Sequence, residues 1–274
     1  MINVTKTYLP DFDEYCAILK RAWDKAWITN NGELVLELEK KLKALLHSEK
    51  LLYCNNGTIV LQMALKSLGV TKEVITTPFS YVATCNSILW EGCKPIFVDI
   101  DTQTFCIDAA KIVQAITPDT EAILATHVFG LPCNVEQIET IAKKYSLKVI
   151  YDGAHAFGCN LNDRPLLSYG DISTCSFHAT KLFHTTEGGC IICHDEDLFR
   201  KLSLYRSFGH VYDDYFDIGI NGKNSELHAA MGLAVLPKVP SLIQLRKNIS
   251  ECYDSHLDIS ITRPYFGGEK FQYN

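Results

Sequence analysis

No apolar run in the 274-residue sequence approaches the length of a membrane span, and the N-terminal stretch MINVTKTYLPDFDEY lacks the basic-then-apolar order of a secretion signal. A dense lysine or arginine stripe is also missing. With a formal net charge of -6, the chain is a poor partner for nucleic acid or an anionic membrane surface. Internal repeats and low-complexity tracts are absent. Cys190 and Cys193 form a single CxxC, but no second CxxC or paired histidine completes a zinc set, and the run CIICH reads as a strand. Eleven cysteines, odd in number and scattered through Val/Ile-rich segments, do not form the framework of a small secreted domain. Buried reduced thiols, no metal and a cytoplasmic location are the expectations.

What is present is ordinary for a soluble globular protein: 47% hydrophobic and 21% charged residues. The length allows one large domain, or one domain plus part of a second. Helical spacing runs through residues 12–26 and 33–47, where Leu34, Leu38, Leu42 and Leu45 mark one stripe. From residue 51 onward, short strands and helices alternate. Strands are predicted at 51–54, 73–77, 95–98, 122–127, 148–152, from about 172, and at 190–193. Helices are predicted at 58–68, 80–90, 109–116 and 135–145. This is an α/β pattern with a largely parallel sheet, whose ligands sit at the carboxyl ends of strands. After residue 236 the alternation stops, leaving a helix at 241–256 and a strand-like tail at 259–274. The expected division is a large domain over 1–236 and the start of an incomplete smaller domain over 237–274.

Several of these strand ends carry unusual groups. Asn55-Asn56-Gly57-Thr58 opens a helix and could cradle a phosphate, although an ordinary Asn/Thr helix cap is the simpler reading. Asp152 ends a buried strand, where a carboxylate is costly unless paired, with His155 three residues on. A protonated pyridine nitrogen would be such a partner, and a turn cap is the alternative. Lys181 follows Ser176 between two apolar strands, where desolvation would free its amine to attack an aldehyde. A surface lysine in a hairpin is the plainer reading. Tyr81, at the end of another strand, could stack on a ring or simply pack in the core.

In this chain order the elements resemble the fold-type-I pyridoxal-phosphate enzymes, and more closely the sugar aminotransferases of the DegT/DnrJ/EryC1/StrS family. The matching stretches are WITNNG at 27–32, NGT at 56–58, THVFG at 126–130, DGAH at 152–155, residues 176–189, and GINGKNSEL at 219–227. The resemblance implies that pyridoxal 5'-phosphate is held by Gly57, Thr58 and Ser176 at its phosphate. Tyr81 would stack on the ring, Asp152 would meet the pyridine nitrogen, and His155 would lie near the ring oxygen. Lys181 would be the Schiff-base lysine and the proton shuttle. Asn221 would reach the phosphate of a neighbouring subunit, making a homodimer with shared sites. Glutamate would donate the amino group to a nucleotide-linked 4-keto-6-deoxy sugar, giving a product such as dTDP-4-amino-4,6-dideoxyglucose for surface polysaccharide. A sugar dehydratase or lyase of the same fold, or an inactive shortened relative, are the alternatives.

Overall fold

A computed structural model describes residues 5–258, Pro264 and the backbone of Phe271 and Gln272. The strand-like tail expected at 259–274 otherwise lies outside the described residues. Two helices lead the chain, α1 (Phe12–Trp23) and α2 (Glu33–Leu45). The alternating part follows as β1 (Leu51–Cys54), α3 (Gly57–Ser67), β2 (Glu73–Thr76), α4 (Val82–Trp90), β3 (Lys94–Phe97), α5 (Ala109–Ala115), β4 (Thr120–Thr126), α6 (Val135–Tyr145) and β5 (Lys148–Asp152). A short hairpin comes next, β6 (Asn160–Leu161) and β7 (Arg164–Pro165), followed by β8 (Ile172–Ser176) and β9 (Gly189–Cys193). The remaining elements are α7 (Glu196–Arg206), the hairpin β10 (His210–Val211) and β11 (Asp214–Tyr215), α8 (Glu226–Val235), α9 (Val239–His256) and β12 (Phe271–Gln272), which pairs with β6.

The central sheet has seven strands in the order β1-β9-β8-β5-β4-β2-β3. Neighbours from β8 through β3 are parallel, and β9 runs antiparallel to both β1 and β8. A sheet covered on both faces needs strands that are apolar on both sides, which is what LLYC, EAILAT and VIYD supply. The reversal at β9 has one consequence for the site. β8 and β9 are adjacent and antiparallel, with Ser176 opposite Gly189, so residues 177–188 leave and re-enter the sheet at the same edge. That places the lysine segment at the carboxyl ends of β1, β4, β5 and β8.

The structure differs locally from the sequence pattern. Helix α4 begins at Val82 rather than residue 80, because Tyr81 is extended (φ -66°, ψ 145°) and stands as its N-cap. In α2 the inward stripe is Leu34, Val35, Leu38 and Leu42, with Leu46 closing it from the cap position. Leu45 is 47% exposed, so it is not part of the stripe. Steps of four keep the stripe on one face, and the next step from Leu42 lands on Leu46. Helices α7 and α8 lie outside the helices expected from periodicity. The ELHAAMGLAV segment of α8 is buried on nearly every side, so it has no amphipathic period to detect.

Candidate active site

One cavity of about 510 Å³ opens at the carboxyl ends of the parallel strands. Gly57, Thr58, Tyr81, Asp152, His155, Ser176 and Lys181 all line it. These residues come from four separate strand-to-helix or strand-to-turn junctions, and the fold brings them to one place.

The turn at Asn56 is a helix cap: its side-chain oxygen accepts from the Ile59 N–H at 2.8 Å. The cap leaves the N–H groups of Gly57 and Thr58 at the open end of α3, where the helix carries partial positive charge. Gly57 lies against Ser176, and a Cβ at Gly57 would sit 2.8 Å from the serine Cβ and 2.9 Å from its Oγ. Only glycine lets the helix start and the strand end approach so closely. Amide N–H groups and a hydroxyl are thereby gathered in one corner of the cavity.

Asp152 closes β5 and is 6% exposed. Its Oδ2 accepts from the Thr84 hydroxyl at 2.7 Å, and its Oδ1 accepts from the Ala154 N–H at 3.0 Å. Lys181 is half-buried at the cavity wall. Phe177 and Phe183, both fully buried, flank it and pack on Phe157, with the Phe183 ring 4.7 Å and the Phe177 ring 5.8 Å from the Phe157 ring. The Lys181 N–H donates to the His178 carbonyl at 2.9 Å, which closes the turn. Partial burial lowers the pKa of the Lys181 amine, opposed by the Asp152 charge. Burial, then the Lys181 charge, lowers that of His155, and Asp152 raises it.

Tyr81 is 79% exposed at the cavity edge, so it is not a core aromatic. Asn221 is elsewhere: it is exposed and does not line the cavity of its own chain. Its carbonyl accepts from the Asn55 side chain at 3.1 Å, which ties the 221–222 strip beside the first turn of α3.

The family question is decided by comparison with known proteins. The DegT/DnrJ/EryC1/StrS aminotransferase family matches residues 12–263. The chain belongs to that family. A dTDP-4-amino-4,6-dideoxy-D-glucose transaminase of Shigella dysenteriae is 45% identical over 257 residues, covering 93% of this chain and 70% of the relative. Among solved structures, DesI in the presence of its TDP-sugar product superimposes with a TM-score of 0.90 at 34% identity, covering 94% of this chain and 66% of that one. Spr1654 of Streptococcus pneumoniae in its PMP form gives a TM-score of 0.84 at 28% identity, over 92% of this chain and 72% of that one. The chain therefore spans about two thirds of the length of these relatives and has the fold-type-I architecture of its family.

Four further residues line the cavity without a role that the sequence assigns. Thr126 contributes a buried hydroxyl with no hydrogen-bond partner, directly beside Asp152 in the β4–β5 register. His178, Thr180 and Glu187 also line the cavity; the His178 ring nitrogen Nδ1 lies 2.9 Å from the Thr180 hydroxyl and Nε2 lies 3.7 Å from the Glu187 carboxylate. Those three lie inside the 176–189 stretch and Thr126 opens the THVFG stretch, so the signal is present in the sequence without a role attached. None of the eleven cysteines is in a disulfide, and the described residues contain no His/Cys/Asp/Glu group arranged for a metal ion. Among the described residues no helix is long and apolar enough to cross a membrane.

Proposed function

We propose that this chain is a pyridoxal-phosphate aminotransferase that moves an amino group from glutamate to a nucleotide-linked keto-deoxy sugar of the dTDP-4-keto-6-deoxyglucose type. One observation carries the reading: an amine of lowered basicity, a hydrogen-bonded carboxylate and a helix-end anion corner line the same cavity. The residues present fit pyridoxal 5'-phosphate. The Gly57 and Thr58 N–H groups with the Ser176 hydroxyl suit a phosphate, and Asp152 suits a protonated ring nitrogen. The unpartnered Thr126 hydroxyl marks a place where a polar ligand atom is wanted.

When bound, the cofactor supplies an electrophilic aldehyde carbon and an electron-withdrawing ring. The chain's own residues do the rest. Partial burial keeps a larger fraction of the Lys181 amine neutral, so Nζ is able to accept a proton from the α-carbon of the donor and to return one at the keto carbon of the acceptor. Asp152, fixed through both oxygens, offers its charge where a cationic ring nitrogen would sit. His155, half-enclosed and lowered in pKa by burial, stays available as a neutral hydrogen-bond partner near neutral pH. Tyr81 provides an exposed aromatic face at the rim.

The same reading covers the assembly. Exposure of Asn221 outside its own cavity supports its use by a second copy, in a homodimer with shared sites. Eleven cysteines with no disulfide among them support a reducing, cytoplasmic setting. Residues 1–236 form the large domain in this proposal and 237–274 begin a second one; in support, α9 buries only Val239.

The decisive assay incubates the purified protein with pyridoxal 5'-phosphate, glutamate and a panel of nucleotide-linked keto sugars. Formation of 2-oxoglutarate in step with an aminated sugar is the expected result. Consumption of the sugar without 2-oxoglutarate would assign a dehydratase or lyase instead.

A further inference from the structure

The carboxylate of an aspartate rotates almost freely about its last bond, because that torsion has broad preferences. A carboxylate meant to meet one ligand atom must therefore be oriented from outside. In this cavity the orientation comes from two donors, one on each oxygen of Asp152. The Ala154 N–H is local, only two residues away. The Thr84 hydroxyl is 68 residues away in sequence and belongs to α4.

Thr84 is itself fixed. It is 1% exposed, its N–H donates to the Tyr81 carbonyl at 3.1 Å, and its own carbonyl accepts from the Ser87 hydroxyl at 2.8 Å. The same first turn of α4 thus carries Tyr81 at the cavity rim and Thr84 against Asp152. One hydrogen bond joins the helix that presents the aromatic to the strand that presents the carboxylate. A hydroxyl has one proton to donate, and an ionised carboxylate can only accept, so the direction of this bond is set.

We infer that Thr84 is a positioning residue: its hydroxyl locks the plane of the Asp152 carboxylate and ties it to the Tyr81 turn, so that both meet the ring of the cofactor in one geometry. This inference rests on the proposed pyridoxal-phosphate reading. The donor also removes one lone pair from competition, leaving the remaining acceptor directions of Asp152 for the ligand. Hydrogen bonds to charged groups are the strong ones, and loss of this one leaves a buried carboxylate under-satisfied. The titratable groups that face Asp152 are Lys181 and His155 across the cavity and the buried Cys175 and Cys133 thiols behind it.

The test compares wild type with Thr84→Val, which keeps the shape and loses the donor, and Thr84→Ser, which keeps the donor. Thr84→Ala repeats the hydroxyl deletion should the valine variant fail to fold. Three readouts are taken: pyridoxal 5'-phosphate affinity by fluorescence quenching, the pH dependence of the visible band of the bound cofactor, and Tm without cofactor. Removing the hydroxyl is expected to weaken cofactor binding about tenfold and to displace the pH profile of the band, with serine restoring both. If wild type binds no pyridoxal 5'-phosphate, the functional reading falls, and the role of Thr84 falls with it. If wild type binds and both hydroxyl-deletion variants match it in affinity and pH profile, the role of Thr84 alone is overturned. A lowered Tm with unchanged affinity and profile also overturns it, since that pattern marks packing only.

Discussion

Gly57 and Ser176 meet with no room for a methyl group between them: a Cβ on Gly57 would fall 2.8 Å from the serine Cβ and 3.3 Å from its Cα. The first residue of α3 and the last of β8 thereby form one wall of the cavity. Gly57→Ala must push the strand end or the helix start aside. Overpacking of this kind costs about 1–3 kcal/mol, and here the displaced groups are the proposed phosphate ligands. The variant is expected to lose several degrees in Tm and most of its affinity for pyridoxal 5'-phosphate and for inorganic phosphate alike. Unchanged binding of both would remove this corner from the cofactor site.

Lys181→Ala tests the amine directly. Wild type incubated with pyridoxal 5'-phosphate should be yellow, and borohydride should bleach the band and leave the label on Lys181. The alanine variant should show neither the band nor the label. Its turnover should fall by roughly 10²–10⁴-fold, the usual contribution of a positioned proton-transfer group. A band that persists in the variant would place the reactive amine on another lysine.

The parts of this site that are legible in the sequence are those where a strand ends in chemistry. Asp152 after VIY and Lys181 between two apolar strands each break a hydrophobic run with a charge, and such a break is visible without a structure. Gly57 and Thr58 are visible for another reason, because they sit at a switch from strand to helix period. Thr84 is not visible in this way. It sits in VATCNSILW, where a threonine on a buried helix face is unremarked, and its partner lies 68 positions away. Thr126 opens the THVFG stretch at the end of an apolar strand, yet it carries no role until its hydroxyl is seen to lack a partner. The helices hidden from the periodicity are of a corresponding kind. In α8 nearly every side is covered, and α7 buries only Leu202, Tyr205 and Arg206, so neither presents a clean stripe.

Glu226 shows how a contact between distant segments holds the fold. Its carboxylate is fully buried and accepts from the Leu34 N–H at 2.7 Å and the Val35 N–H at 3.1 Å, capping α2 from the start of α8. Gly32 makes the space, since a Cβ there would lie 2.7 Å from the Glu226 carboxyl carbon. Favourable interaction with the helix N-terminus and two otherwise orphaned donors act together. Glu226→Ala should therefore cost roughly 2–4 kcal/mol in urea unfolding. Glu226→Gln, which keeps one acceptor, should cost less. Equal stability of all three proteins would show that water replaces the cap.

His127 supplies a test that depends on pH. The ring is wholly buried, stacks on Tyr151 at 4.6 Å, and its Nδ1 accepts from the Cys133 N–H at 3.1 Å, so the neutral ring carries its proton on Nε2. Burial pushes its pKa down from 6.5 to about 3. Between those values the unfolded chain binds a proton that the folded chain refuses. Stability from this group is therefore complete above about 6.5 and is lost as pH falls toward 3, with a limiting slope of about 1.4 kcal/mol per pH unit. His127→Asn keeps an acceptor for Cys133 and removes the titration. The variant should be less stable at pH 7 for want of the ring, yet lose less as the solution is acidified, so the two curves of unfolding free energy against pH converge. His155, His184 and His228, which burial also lowers, titrate in both proteins and leave the difference unaffected. Parallel curves between pH 7 and pH 5 would mean that the buried ring takes up its proton in the folded state as readily as in the unfolded chain.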